Sequence, residues 1–375
     1  MKAVTLLIMI ITILGKIFGF LRELVFGYFM GTGSVKDIYV IVNSIPSVLF
    51  GFLASAIYTT FVPMYNKINT KVGNKEAEDY TSNISNIMLL LATIVVIIVF
   101  IFAKPIVKIF ASGFIGKELE LTVNFTRVAI FTIYATAFSA PFRGYLNNKG
   151  DFISTAIDPI IQNTILIIFV IIAVMRENWT ILAIGYLLSY FLMYLPYVPS
   201  LKKNGYKHKK IFDLKNPYIK ETLRLGIPIL ITIGIADFAS IVDKTIATSL
   251  FKNGGVSSLD YADKLIQLVR GVVVRSFVVA TYPEFSRLAQ EDKKKELAEK
   301  IKSSIISTYS IVIPSVVGLF VLAEPIISLI FQRGAFDARS TMITAGALRW
   351  YSISLIGHVL YMLLTRYYYA KGDMK

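Results

Sequence analysis

Lys16, Arg22, Glu23 and Asp37 are the first side chains able to do chemistry in this 375-residue chain. All four lie in stretches hydrophobic enough to enter a membrane. An ionisable group there costs about 3 kcal/mol or more unless it faces protein or water, so four so close together need a polar interior. At the helical period Gly15, Lys16, Gly19, Arg22 and Glu23 fall within an arc of about 120°. Ile17, Phe20, Leu21, Leu24 and Val25 take the opposite side, giving a membrane helix with a charged, glycine-lined inner stripe and a lipid face. Asp37 opens the next hydrophobic stretch, followed on its face by Ser44, Ser47, Gly51 and Ser55. Two readings of Asp37 stand level, a helix N-cap after Gly-Thr-Gly-Ser-Val-Lys and a cavity carboxylate. The serines fit close helix packing at least as well as substrate contact.

The pattern returns downstream. Asp263, Lys264, Gln267, Arg270, Gly271 and Arg275 share an arc of about 140° with an apolar opposite face. An ion-paired helix interface would account for any one of these groups. The set has more cations than anions, Lys16, Arg22, Lys264, Arg270 and Arg275 against Glu23, Asp37 and Asp263. A net positive cavity between two lobes suits an anionic substrate, and Arg matches phosphate oxygens bidentately. Asp237, Asp243 and Lys244 lie on another hydrophobic stretch. Asp237 and Lys244 are spaced to pair on one face, which leaves Asp243 for a cation; a three-member salt bridge is the equal alternative. Asp158, Arg349 and His358 are further intramembrane polar groups. Arg143 and Arg366 lie near span ends, where long basic side chains snorkel to the interface.

Composition sets the class. The chain is 55% hydrophobic and 17% charged, with a mean hydropathy of +0.64, whereas soluble domains carry about a quarter charged residues. It has no cysteine, which excludes disulfides, thiolate nucleophiles and zinc–cysteine sites, and only two histidines, His208 and His358. A net charge of +15 would suit nucleic acid in a soluble protein; here it reads as the Lys and Arg excess of cytoplasmic loops. The first 15 residues resemble a signal peptide but lack a small-x-small cleavage site, and the hydrophobic run continues to about residue 30, so they read as an uncleaved first span.

A span needs roughly 20 mostly apolar residues. That rule finds ten, at about 3–30, 36–64, 84–110, 121–146, 152–175, 179–200, 219–250, 257–285, 300–331 and 341–370. Loops 65–82, 143–150, 201–224 and 287–302 hold 19 Lys and Arg, and the alternate loops 31–37, 111–122, 175–179, 251–258 and 332–340 hold 6, Lys36 among them. Both termini are therefore expected in the cytoplasm, and the run KKNGYKHKK at 202–210 is expected to touch anionic lipid. A shift of 220 residues aligns Gly51 with Gly271, Pro63 with Pro283, and Lys104-Pro105-Ile106 with Glu324-Pro325-Ile326. Six spans separate the copies, so the duplication is parallel, about an axis along the membrane normal. The expected fold is an all-α, two-lobe membrane bundle. Residues 1–216 form an N-lobe of six spans with its basic linker. Residues 217–375 form a partial C-lobe of four spans, two short of the repeat.

The segments GKIFGFLRELVFGYFMGTGSVKDIYVIVNSIP and FVPMY, with VDKTIATSL, YADKLIQLVRGV and IFQRGAF, resemble the MurJ (MviN) lipid II flippase family over essentially the whole chain. The resemblance implies the MOP exporter fold around a cationic cavity. It also implies transport of the undecaprenyl-pyrophosphate-linked peptidoglycan precursor from the inner to the outer leaflet of the bacterial cytoplasmic membrane. By motif position, Lys16, Arg22, Glu23, Asp37 and Lys264 correspond to cavity or functionally important positions. Asp243 falls where some members bring a carboxylate to a sodium site, making Na+ a candidate coupling ion and the only expected cofactor. The family usually has an arginine pair and then a glutamate where Phe50, Gly51 and Ser55 stand here; Arg270 is the 220-offset counterpart of Phe50.

The function expected is therefore transport rather than catalysis, by alternating access of a monomer with lipids and a polyprenyl-linked glycolipid as partners and no nucleic acid. No GxxxxGK[ST] loop is present to hydrolyse ATP. A flippase for another polyprenyl-linked saccharide is the nearest alternative. A drug or cation exporter would need an acidic cavity. A membrane glycosyltransferase would need paired acid/base carboxylates beside an aqueous domain.

Overall fold

Inside a bilayer each backbone N–H and C=O must be satisfied within the protein, and long apolar segments achieve this as helices. The computed structural model describes residues 2–251, 253–271, 275–291 and 293–370, and among them there is no strand. Nine helical stretches in the described residues are long and apolar enough to cross a membrane. The eighth expected span, 257–285, holds two helices, one on each side of positions 272–274, which lie outside the described residues.

Two compact units divide the chain. The first comprises Met1–Phe29 and Gly33–Asn253, the second Met30–Thr32 and Gly254–Lys375. In the first unit the helices are α1 (Lys2–Met30, its last residue passing to the second unit), α2 (Ser34–Pro46), α3 (Phe52–Lys71), α4 (Asn74–Ile101), α5 (Ala103–Phe110), α6 (Gly116–Ala129) and α7 (Thr132–Asn148). They are followed by α8 (Ile153–Ala156), α9 (Asp158–Met175), α10 (Thr180–Met193), α11 (Tyr197–Lys203) and α12 (Pro217–Leu250). A π-helical turn, Ser47–Gly51, joins α2 to α3. Pro46 has no N–H to give, which loosens the ladder there, and the wider turn absorbs the defect without breaking the span.

Each helix sorts its faces. On α4, Met88, Ala92, Val96 and Val99 are buried at helical spacing, while Ile94, Ile97, Ile98 and Ile101 are exposed, an apolar surface suited to lipid. Helix α3 packs against α4, α7 and α12, and α9 against α10. Helix α1 approaches α9 through its glycines: a Cβ on Gly15 would stand 3.2 Å from the Pro159 Cβ, and one on Gly19 would stand 3.5 Å from Asn163 Nδ2. The glycines of the charged stripe are thus packing positions, and Arg22 beside them reaches the same neighbour through Asn163.

The 204–216 linker is a strap along α4 rather than a loose charged loop. Asn83 Nδ2 donates to the Asp213 carbonyl (2.9 Å) and Asn83 Oδ1 accepts the Asp213 N–H (2.8 Å). Asn86 Nδ2 donates to the carbonyls of Lys209 and Ile211 (2.9 and 2.8 Å). Lys209 pairs with Asp79. Burial pushes the Tyr206 hydroxyl up to about 12, so it stays protonated between Ser82 Oγ (2.8 Å) and His208 Nδ1 (3.1 Å).

Beyond the strap, α12 stays with the first unit. Lys67 Nζ meets both Glu221 oxygens (2.6 and 2.7 Å), Tyr80 shares a hydrogen bond with Thr222 (2.8 Å), and Thr245 donates to the Ile109 carbonyl (2.7 Å). The compact-unit boundary therefore falls after Asn253, whereas the sequence repeat begins near 217. The two divisions record different things, contact and duplication.

The second unit holds α13 (Gly255–Val269), α14 (Arg275–Gln290), α15 (Lys294–Val321), α16 (Ala323–Phe331) and α17 (Ala338–Ala370). Helix α17 packs against the other four. Ala345, Leu348, Ser352, Leu355, Val359 and Leu363 form its buried stripe. The Gly31–Thr32 turn belongs to this unit: Tyr261 donates to the Gly31 carbonyl (3.2 Å), and Thr32 shares a hydrogen bond with Ser340 (2.8 Å).

Candidate functional site

The charged stripe of α1 ends in an ion network. Glu23 is almost fully buried and uses both oxygens on cations, Oε1 with Arg22 Nη2 at 2.5 Å and Oε2 with Lys36 Nζ at 2.8 Å. Arg22 Nη1 also donates to Asn163 Oδ1 on α9 (2.9 Å). Lys36 is 0% exposed and lies over the rings of Phe26 and Tyr39, 4.5 and 5.4 Å from their centroids. Its sequence position after Gly-Thr-Gly-Ser suggested an outer-loop charge. The helix begins at Ser34, however, which turns Lys36 into the bundle.

Asp37 lies beside it, 3% exposed. It is not the N-cap: Gly33 occupies that place, and the Asp37 N–H bonds to the Gly33 carbonyl (3.1 Å). Asp37 is a buried carboxylate in the first turn of α2, where the helix dipole favours a negative charge.

Two cavities open within the first unit. One of about 290 Å³ is lined by Ser47, Gly51, Ser55, Tyr58, Arg143 and Gln162 among others. The second, about 410 Å³, is lined by Lys16, Tyr58, Arg143, Asn147, Thr155 and Pro159 among others. Ser47, Gly51 and Ser55 share a wall as expected. Ser44 does not, since its hydroxyl bonds back to the Ile41 carbonyl (2.7 Å) and the π turn shifts the phase between them. Phe50 is 0% exposed and packs in the core, away from both cavities.

Arg143 and Tyr58 border both cavities and were not singled out as site residues from sequence. Arg143 does not reach out to the interface; its Nη2 pairs with Asp158 Oδ2 at 2.5 Å and its Nε donates to the Tyr197 hydroxyl at 3.2 Å. Tyr197 in turn donates to the same Asp158 oxygen (2.7 Å). Asp158 Oδ1 is buried with no hydrogen-bond partner among the described residues. Signals existed, an Asp before Pro159 inside a span and an Arg beside Pro141, but nothing in the spacing joins residues on different helices.

The second-unit candidates occupy α13 and its continuation. Lys264 lies 3.8 Å from Asp260, one turn away, and Gln267 Nε2 donates to Asp263 Oδ2 (2.5 Å). Arg270 falls in a π-helical stretch with Gly271, and its buried Nε has no hydrogen-bond partner among the described residues. Arg275 starts α14, and its side chain lies outside the described residues. Asp243 is exposed on α12. Among the described residues no three His, Asp or Glu side chains gather where they could hold a metal ion.

Apolar spans enclosing buried ion networks and cation-lined cavities define a multi-pass membrane transporter. The fold agrees with solved transporters of the MOP superfamily. An inward-facing multidrug resistance MATE family transporter matches with a TM-score of 0.73 at 17% identity, over 96% of this chain and 81% of that one, a likeness of fold alone. The chain belongs to the lipid II flippase MurJ family, whose model matches residues 26–375. A structure titled lipid II flippase MurJ, inward closed conformation, matches with a TM-score of 0.85 at 26% identity, over 99% of this chain and 77% of that one. Among relatives, a probable lipid II flippase MurJ of Rickettsia prowazekii is 26% identical over 370 residues, 97% of this chain and 72% of its own length. The lipid II flippase MurJ of Burkholderia cenocepacia is 24% identical over 373 residues, again 97% of this chain and 72% of its own length.

Proposed function

We propose that the chain is a lipid II flippase. It moves a polyprenyl-pyrophosphate-linked peptidoglycan precursor across the bacterial cytoplasmic membrane by alternating access. The observation that carries this reading is the family match over residues 26–375; the Arg22–Glu23 pair of α1 and the cavity that Lys16 borders support it. Lys16, Arg22, Lys264, Arg270 and Arg275 are the cations that attract the pyrophosphate, and Glu23 and Asp37 are the carboxylates of the set, Glu23 paired with Arg22 and Lys36. Two phosphates in a low-dielectric site match guanidinium forks and ammonium groups. The prenyl tail stays among the lipids, since moving it through water would cost about 0.8 kcal/mol per CH2.

Reorientation then exposes the head group outside. The membrane potential, an ion gradient or consumption of the product drives the cycle, and the protein works as a monomer with its N-terminus inside. Complementation tests the reading: a strain depleted of its lipid II flippase should grow when this chain is expressed. Failure with the protein present in the membrane would overturn it, and rescue of a different lipid-linked saccharide pathway would reassign the substrate.

A further inference from the structure

We infer that Arg143, Tyr58 and Lys16 form an anion subsite inside the first unit, for a phosphate or pyrophosphate group, with Asp158 as an internal competitor that Arg143 leaves when the anion arrives. The inference rests on the flippase reading and adds residues to it. Its first support is the donor count. Arg143 spends Nη2 on Asp158 and Nε on Tyr197, and among the described residues no acceptor meets Nη1. Lys16, on another wall of the 410 Å³ cavity, has no acidic partner among the described residues and is exposed to that space. Tyr58 accepts a hydrogen bond from Asn147 Nδ2 (3.0 Å), which leaves its own proton to give. Thr155 Oγ1 donates to Asn147 Oδ1 (2.9 Å), so the amide that orients Tyr58 is itself held. Three donors, two of them charged, therefore border one cavity, whose volume falls in the range of small-ligand sites.

The second support is the incompleteness of the Arg143–Asp158 pair. A guanidinium and a carboxylate can meet through two parallel hydrogen bonds. Here one oxygen, Asp158 Oδ2, takes Arg143 and Tyr197 together, while the buried Oδ1 takes nothing. A buried polar atom without a partner costs free energy, so the carboxylate holds Arg143 less firmly than it could. A dianion in the cavity could draw the guanidinium away, and Tyr197 would remain on Asp158. The small residues Ser47, Gly51 and Ser55 line the adjoining cavity, which Arg143 also borders, and leave room for that swing.

The test is binding to the purified full chain in lipid nanodiscs, with farnesyl pyrophosphate, farnesol and inorganic pyrophosphate as probes. Arg143→Gln should weaken farnesyl pyrophosphate by about tenfold or more, the weight of a hydrogen bond to a charged group. Tyr58→Phe, which leaves the Arg143–Asp158 pair untouched, should weaken it about threefold or more. Asp158→Asn, by removing the competitor, should tighten it, whereas a purely structural acid would give equal or weaker binding. Farnesol should be insensitive to all three. Competition by inorganic pyrophosphate at matching concentrations would assign the subsite to the phosphates alone, and preference for the prenyl compound to the lipid-linked form. Wild-type binding and flipping with unchanged affinity in Arg143→Gln and Tyr58→Phe would overturn the subsite and leave the flippase reading intact. A wild type that binds no pyrophosphate and flips no lipid would overturn both.

Discussion

Glu23 has two oxygens and two cationic neighbours, and that arithmetic decides what its removal does. The pair with Lys36 is fully enclosed, so Glu23→Ala takes the carboxylate of Glu23 away from an ammonium buried against Phe26 and Tyr39. Breaking one side of such a pair costs about 3–5 kcal/mol, whereas replacing both sides by apolar groups is often neutral. Glu23→Ala should therefore lower the thermal stability of the purified protein sharply, and Glu23→Ala with Lys36→Met should recover most of the loss. Unfolding of the two single variants and the double variant checks this; additive losses would mean that the pair is not coupled. Arg22 and Glu23 were legible as an inward-facing pair from their positions on the apolar helix. Lys36 was not, because its sequence neighbours read as a loop and only the start of α2 at Ser34 shows otherwise.

At the scale of elements, the strap at 204–216 gives the basic linker a defined course. His208 Nε2 donates to Asn86 Oδ1 (2.9 Å), because the Asn86 amide nitrogen is already occupied by two strap carbonyls. His208 Nδ1 then accepts from Tyr206, which requires the neutral ring. Burial lowers the His208 pKa below its ordinary value. A lowered folded value means that this stabilisation is complete above about pH 6.5, the unfolded value, and is lost as pH falls through the folded one. Amide exchange at Lys209 and Asp213, corrected for its intrinsic pH dependence, should speed up below about pH 6.5, and His208→Gln should remove that dependence. Asn83→Ala should loosen the strap at every pH, by about 1–3 kcal/mol for the buried groups left without partners. The sequence places the third span at 84, whereas α4 runs from Asn74, so Ser82, Asn83 and Asn86 read as a helix start rather than as the strap's clamp.

The duplication is the feature of the whole molecule that the sequence carried most clearly, and the helices repeat it. Asn74–Ile101 answers Lys294–Val321, and the π turn ending at Gly51 answers the π-helical Arg270–Gly271. A few glycines and prolines sufficed because they mark backbone departures that a duplicated fold must keep at the same places. The cavities were not legible in this way, since Lys16, Tyr58 and Arg143 come from three helices with no common period. A parallel repeat makes a prediction about topology that an inverted one reverses. With no native cysteine, single introduced thiols report sidedness directly. Lys75 and Lys295 are exposed equivalents in the two copies, and Lys117 and Gln332 are exposed in or beside the two alternate loops. Thiols at 75 and 295 should react with an impermeant maleimide only after the cells are opened, and those at 117 and 332 should react in intact cells. Labelling of 75 and 295 from opposite sides would make the repeat inverted. Labelling of both from outside would keep it parallel and reverse the orientation drawn from the 19 and 6 basic loop residues.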